Sequence, residues 1–282
     1  MFSKYLPHSW KDSQSIAIMA GQGGKDSYPW LMASAAIKSG IPVKLVSFKG
    51  ETSPELEALF APKDVARVAI GDMGGLLNAL KKLGASGAVM AGRVSPGHVL
   101  KGVFPDLRAM SIWASLKEKS AEAILKAIAD EIQKDNIEVL DARIFMDGLM
   151  AGKDTMSKGK EPLKEGDVSH AIRIAEAVAD QDIGQSIVTR KGTVLAVEAF
   201  EGTDAMIARA GQYREGNKIF VKTVKKNQDW RFDVPILGPK TLESIIAAHI
   251  GTVVLKAEGV IMVQKEEILK EAYLNKITVL GY

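Results

Sequence analysis

The chain of 282 residues is 46% apolar and 25% charged, with a net charge of +3 and a pI near 8.8. This is the balance of a globular protein too long to fit comfortably in one core, so two domains of roughly 100 to 150 residues are expected. It contains no cysteine, which excludes disulfides, thiolate metal sites and a cysteine nucleophile and makes the cytosol the default compartment, while the basic excess is too weak to argue for nucleic acid and does not oppose work beside an anionic membrane.

The first twelve residues lack an apolar run of signal-peptide length, and no stretch of about 18 apolar residues is present to cross a bilayer. From Ser15 the pattern reads strand, glycine turn, helix, strand. Ile16 to Ala20 is the first strand. Asp26 or Ser27 can cap the helix after it, Pro29 suits its first turn and Gly40 its end, and Val43 to Phe48 is the second strand. A third strand at Ala66 to Ile70 leads into a helix near Leu76 to Leu83, a fourth follows at Gly87 to Ala91, and GRVSPG comes next. Ser120 to Lys134 is a helix with Ile124, Leu125, Ile128 and Ile132 on one face. Alternating strands and helices predict a Rossmann-like open parallel sheet over residues 1–134, with Asp135 and Asn136 as linker.

Residues 137–282 form the expected second domain. Met150 to Asp167 is rich in glycine and lysine and reads either as a lid or as a solvated connection. Ser186 to Thr189 and Val194 to Phe200 flank Arg190, Lys191 and Gly192, a hairpin signal. Thr203 or Asp204 would cap the helix through Met206, Ile207 and Ala210. In Lys218 to Lys225, Ile219, Val221 and Thr223 alternate with Phe220, Lys222 and Val224, and the lysines of such a strand read either as cations for the nearby acids' site or as its wet face. Val253 to Lys256 and Ile261 to Val263 read as a hairpin, Glu266 to Leu274 as a helix and Ile277 to Leu280 as the closing strand. The fold expected for this half is mixed α+β.

Three features invite chemistry. The turn Gly21, Gln22, Gly23, Gly24 lies where a doubly wound sheet meets its ligand, but Asp26 occupies the third glycine position of a dinucleotide fingerprint and no acid ends the second strand. NAD binding, a phosphate or nucleotide contact and a merely tight turn all stay open. In Asn227 to Gly238, an extended chain would set Asp229, Arg231 and Asp233 on one face and Trp230 and Phe232 on the other. Arg231 could be a phosphate clamp or a salt bridge. The helix after it has a partial capping box from Thr241 to Ser244.

Acids gather as Glu198, Glu201 and Asp204 in one place and Asp229 and Asp233 in another. Oxygen ligands without cysteine favour Mg²⁺ or Mn²⁺, although Asp204 would also serve as a cap. Lys222, Lys225 and Lys226 lie near them in sequence. His8, His98, His170 and His249 show no metal spacing, and no serine-hydrolase or P-loop motif is present.

Several phrases resemble the LpxI-type UDP-2,3-diacylglucosamine pyrophosphatases of lipid A biosynthesis. They are AGQGG with Pro29, AGRVSP at Ala91 to Pro96, DIGQSIV at Asp182 to Val188, VLAVEAFEGTDAMIARAG at Val194 to Gly211 and QDWRFDVPILGPKT at Gln228 to Thr241. The resemblance implies two domains and metal-assisted hydrolysis of a glycolipid nucleotide to UMP and 2,3-diacylglucosamine 1-phosphate. It places the essential acid at Asp233, with Asp229 and Arg231 beside it. Expected metal ligands are Asp233, Asp229, Glu201 and Asp204. Expected substrate contacts are Gly21, Gly23, Gly24, Gly202, Thr203 and Lys222. A cytoplasmic protein touching the inner membrane follows, and homodimer formation stays open. A nucleotide-dependent oxidoreductase or transferase and a non-enzymatic nucleotide or lipid carrier are the rival readings.

Overall fold

The computed structural model describes residues 3–93, 105–118, 120–160, 164–213 and 216–282. The chain divides into two compact units, Met1–Asp147 with Asp229–Asp233, and Gly148–Gln228 with Val234–Tyr282.

The first unit is a parallel α/β sheet. Strands β1 (Ile16–Ala20), β2 (Val43–Phe48), β3 (Val65–Val68), β4 (Gly87–Ala91) and β5 (Glu138–Val139) stand in the order β3-β2-β1-β4-β5, and every pairing is parallel. All five residues of β1 are buried, as befits a central strand of a sheet covered on both faces. Helix α1 (Tyr28–Ser39) begins with Pro29 in its first turn and ends on Gly40 at φ 81°, whose amide returns to the Ile37 carbonyl. That is the left-handed stop that glycine adopts without a Cβ penalty.

Behind the short helix α2 (Pro54–Glu57), α3 (Met73–Lys82) starts earlier than the apolar pattern suggests, because the Asp72 carboxylate caps it by accepting from the Gly75 amide. Helix α4 (Leu107–Ser115) carries its own cap, Asp106, and Ser120 caps α5 (Ala121–Gln133). Asp135 and Asn136, the expected linker, instead form the turn from α5 into β5, with Asn136 at φ 59°. The first unit continues to Asp147.

The second unit holds a six-stranded mixed sheet. Its strands are β6 (Asp154–Ser157), β7 (Ser186–Arg190), β8 (Thr193–Val197), β9 (Lys218–Lys222), β11 (Ile250–Leu255) and β13 (Thr278–Gly281), in the order β6-β13-β11-β9-β7-β8. β9, β11 and β13 are parallel; β6, β7 and β8 run antiparallel to their neighbours. The β7–β8 hairpin turns on Lys191 at φ 47° and Gly192 at φ 78°, the two positive angles that a two-residue hairpin of this twist requires.

Helix α6 (Glu165–Asp180) packs Val168, Ala171 and Ala175 against Ile187, Ile219, Val221 and Val254 of the sheet. A second apolar cluster joins Val188, Phe220 and Val253 to α7 (Thr203–Gly211), α8 (Pro239–Ala247) and α9 (Lys265–Leu274) through Met206, Leu242 and Ile268.

Two readings fail here, each for its own reason. β9 is central, and all five of its residues are buried, so Lys218 and Lys222 have no wet face to occupy. Nor do β11 and β12 (Ile261–Met262) form a hairpin: β11 pairs with β9 and β13, while β12 runs parallel to β10 (Ile236–Leu237). Parallel neighbours need a helical crossover rather than a tight turn, and α8 and α9 supply it.

Candidate functional site

In the first unit the strand order reverses between β1 and β4, the place where an open α/β sheet leaves a crevice at the carboxyl ends of its strands. The glycine turn sits there. The Gly21 amide donates to the Ala91 carbonyl at 2.8 Å and the Gln22 amide to the Arg93 carbonyl at 2.6 Å. A Cβ on Gly21 would overlap the Arg93 carbonyl, and one on Gly23 would overlap the Ser27 hydroxyl and the Pro29 ring. These two glycines are therefore required by the turn's own packing. Gly24 has no atom within 4 Å of where its Cβ would be, so a ligand can approach its backbone. Ser27, the residue before α1, spends its hydroxyl on the Gly24 carbonyl at 2.6 Å and gives the helix no side-chain cap. Val94 to Pro96 of the AGRVSP motif lie outside the described residues.

The stretch Asp229–Asp233 is a turn, not an extended edge, so the alternation of charged and aromatic faces is corrected. The Asp233 amide donates to the Asp229 carbonyl at 3.2 Å. Within that turn Arg231 faces back on Asp229, donating through Nε at 2.9 Å and Nη2 at 2.6 Å to its two carboxylate oxygens. Nη1 reaches Asp130 Oδ1 and Gln133 Oε1 on α5, each at 3.1 Å. Hydrogen bonding from Arg231 holds the Asp229 carboxyl below its usual range, and the pair keeps the guanidinium charged. Between clamp and salt bridge, the geometry selects the salt bridge. Asp233 is half-buried at the end of the turn.

The second unit gathers a different set. Lys222, whose side chain is 6% exposed, lies 3.1 Å from Ser186 Oγ and 3.1 Å from Thr203 Oγ1, and 3.8 Å from Glu198 Oε2. Thr203 in turn donates to Glu198 Oε1 at 2.5 Å. The chain makes this possible with a glycine: a Cβ on Gly184 would overlap the Glu198 carbonyl. Glu198 Oε2 is buried and makes no hydrogen bond; its nearest cation is the Lys222 ammonium at 3.8 Å. Beside it α7 begins. Its cap is Gly202 at φ 81°, with no side-chain bond, and not Thr203 or Asp204 as expected. An uncapped helix start next to a buried lysine is a place for an anion.

Thr203, Gly202 and Lys222 are thus neighbours, and Ser186 and Glu198 complete them. The clue in the sequence was the lysine itself: an ammonium among Phe220, Val221 and Thr223 must find partners if the strand is central.

Three of the four acids expected on a metal have partners of their own. Glu201 bonds Arg209 at 2.6 Å, which holds its carboxyl low. Asp204 accepts from the Thr241 hydroxyl at 2.9 Å, with Lys240 at 4.0 Å. That bond also takes Thr241 out of the capping box, since α8 starts at Pro239 with Gly238 as its cap. Asp229 belongs to Arg231. Among the described residues no three His, Asp or Glu side chains are grouped to hold a metal ion; Asp229 and Asp233 belong to the first unit and Glu201 and Asp204 to the second. Cavity size does not single out a site either. A cleft of about 540 Å³ lined by Gly148, Leu149 and Gln264 to Glu267 contains none of the expected residues.

Comparison with known proteins follows the same two halves. The LpxI N-terminal domain model matches residues 15–149 and the LpxI C-terminal domain model residues 152–280. A curated protein of Caulobacter vibrioides, the UDP-2,3-diacylglucosamine pyrophosphatase LpxI, is 28% identical over 280 residues, spanning 95% of this chain and 97% of that one. Matched by both domain models in sequence order, the chain belongs to the LpxI family.

Proposed function

We propose that the chain hydrolyses the diphosphate of UDP-2,3-diacylglucosamine, releasing UMP and 2,3-diacylglucosamine 1-phosphate. The observation that carries this is the match to both LpxI domains together with a near full-length relative named for that activity. In the reaction a water oxygen bonds to one phosphorus while the bridging P–O bond breaks, and the bridging oxygen leaves on the other phosphate. Little covalent chemistry falls to the protein in such a transfer; positioning and charge do most of it.

The roles are assigned unit by unit. Asp233 accepts a hydrogen bond from the attacking water and takes its proton as the bond to phosphorus forms. Asp229 and Arg231 are read as holding the Asp233 turn. Lys222, oriented by Ser186, Thr203 and Glu198, offers a desolvated cation to a phosphate at the start of α7, and Gly202 leaves that helix end open. The turn at Gly24 faces the nucleotide, with Gly21 and Gly23 shaping it. Mg²⁺ or Mn²⁺ stays part of the proposal as the cation that neutralises the diphosphate; no step above runs through it. A substrate with two acyl chains resides at a bilayer surface, which supports a cytoplasmic protein peripheral to the inner membrane. No helix among the described residues is long and apolar enough to cross a membrane.

The test is release of UMP from UDP-2,3-diacylglucosamine by the purified protein, with and without divalent cation, for the wild type and Lys222→Met. Wild type should turn over, and Lys222→Met should lose about a hundredfold in kcat/KM, the scale of one transition-state charge contact. No UMP release under any cation condition would refute the reading.

A further inference from the structure

The five residues Asp229–Asp233 are flanked on both sides by chain of the second unit yet pack with the first. Something must hold so short a segment against its neighbours. The ring of Trp230 lies 3.6 Å from the Arg143 guanidinium carbon, and the Tyr5 ring lies 4.4 Å from the same carbon. Arg143 is fixed by Asp141, with Nη2 at 2.6 Å from Oδ2 and Nε at 3.0 Å from Oδ1. Between these two residues Ala142 uses both of its backbone groups. Its amide donates to the Trp230 carbonyl at 2.7 Å, and its carbonyl accepts from the Tyr28 hydroxyl.

Tyr28 is the first residue of α1 and is 8% exposed, directly after the glycine turn at the switch point. A continuous set of contacts therefore leads from that turn through Tyr28 and Ala142 to Trp230, and along the turn to Asp233. A buried tyrosine hydroxyl needs a hydrogen-bond partner, and here the partner is the backbone whose amide holds Trp230. That pairing explains how a catalytic acid on a five-residue loop keeps its place relative to the crevice at β1 and β4.

We infer that Tyr28 and Arg143 are positioning residues for Asp233, acting through the backbone of Ala142 and the ring of Trp230; this rests on the role proposed for Asp233. Neither touches substrate in this account. The arginine is suited to the task because a planar guanidinium can lie between two rings and bind a carboxylate with two nitrogens at once, which lysine cannot do. Errors in placement of about an ångström are enough to lower turnover greatly.

The experiment measures kcat, KM and amide hydrogen exchange in Tyr28→Phe, Arg143→Lys, Arg143→Ala and Asp233→Asn. Tyr28→Phe keeps the ring and removes only the hydroxyl, and should lower kcat about tenfold with KM changed less than about twofold. Arg143→Ala should lower it further, and Arg143→Lys should fail to restore it. In step with kcat, exchange at the Ala142 and Asp233 amides should quicken, while the amides of β1 stay protected. Wild-type kcat in folded Tyr28→Phe and Arg143→Ala would overturn the inference. So would a loss of kcat with unchanged exchange at Asp233. If Asp233→Asn alone retained wild-type turnover, the role of Asp233 would fall, and this inference with it. Loss of turnover in Asp233→Asn with none in the other three would sink the positioning claim and leave the proposed function standing.

Discussion

Lys218 and Lys222 stand four residues apart on the same strand, and their surroundings assign them different work. Lys218 is fully buried and donates to the Ala248 carbonyl at the end of α8, at 2.8 Å. It has no carboxylate partner among the described residues, and desolvation, with Arg190 nearby, lowers its pKa. The folded value thus lies below the unfolded 10.5, so between the two the unfolded chain binds more protons. Stability should therefore rise with pH across that window. Urea denaturation of Lys218→Met is expected to show no such rise. Asp229 behaves with the opposite sign. Its carboxyl is held low by Arg231, so its contribution is present above the unfolded value of 3.8 and is lost as pH falls through the lower folded one. Asp229→Asn should flatten that acid limb, measured the same way. Neither lysine's burial was legible from spacing, because alternation on a strand looks the same whether one face or both are covered. Partners 36 and 19 residues away, Ser186 and Thr203, decide it.

The β1–α1–β2 opening was legible almost to the residue, since Pro29, Gly40 and the apolar runs are local signals that each act alone. The same holds for the β7–β8 turn. The β11–β12 hairpin was not, because Glu258 takes a positive φ of 58° in a loop that imitates a hairpin while the strands pair elsewhere. The turn at Asp229–Asp233 misled for a similar reason: Arg231 meets Asp229 two residues before it, and an ion pair within the loop overrides the period of two. The glycine turn gives a direct check on element packing. Gly21→Ala would push a methyl group into the Arg93 carbonyl, with backbone on both sides of the clash. A loss of about 2 to 4 kcal/mol is expected, measured by thermal or urea unfolding; Gly24→Ala, which meets nothing within 4 Å, should lose much less. Equal losses in the two variants would show that crowding at Arg93 is not what fixes Gly21.

At the scale of the molecule, the two halves matched by the family models and the two compact units nearly coincide, apart from Asp229–Asp233, which the C-terminal model covers and the first unit holds. That exchange is invisible to composition or periodicity. It depends on Trp230 and Arg231 finding Arg143, Asp130 and Gln133 roughly 90 to 100 residues upstream. The phrases that carry the resemblance, VEAFEGTDAM and QDWRFDVPILG, contain both the Glu198–Thr203 pair and Asp233. What the resemblance could not supply was their local chemistry, in which Asp229, Glu201 and Asp204 each have a cation or hydroxyl of their own. The measurement that bears most directly on the whole account is the rate of UMP release from UDP-2,3-diacylglucosamine by Asp233→Asn beside the wild type. With the role proposed for Asp233, the loss should be at least about a thousandfold in kcat, with the melting temperature nearly unchanged. Turnover by that variant within about tenfold of wild type would contradict the account.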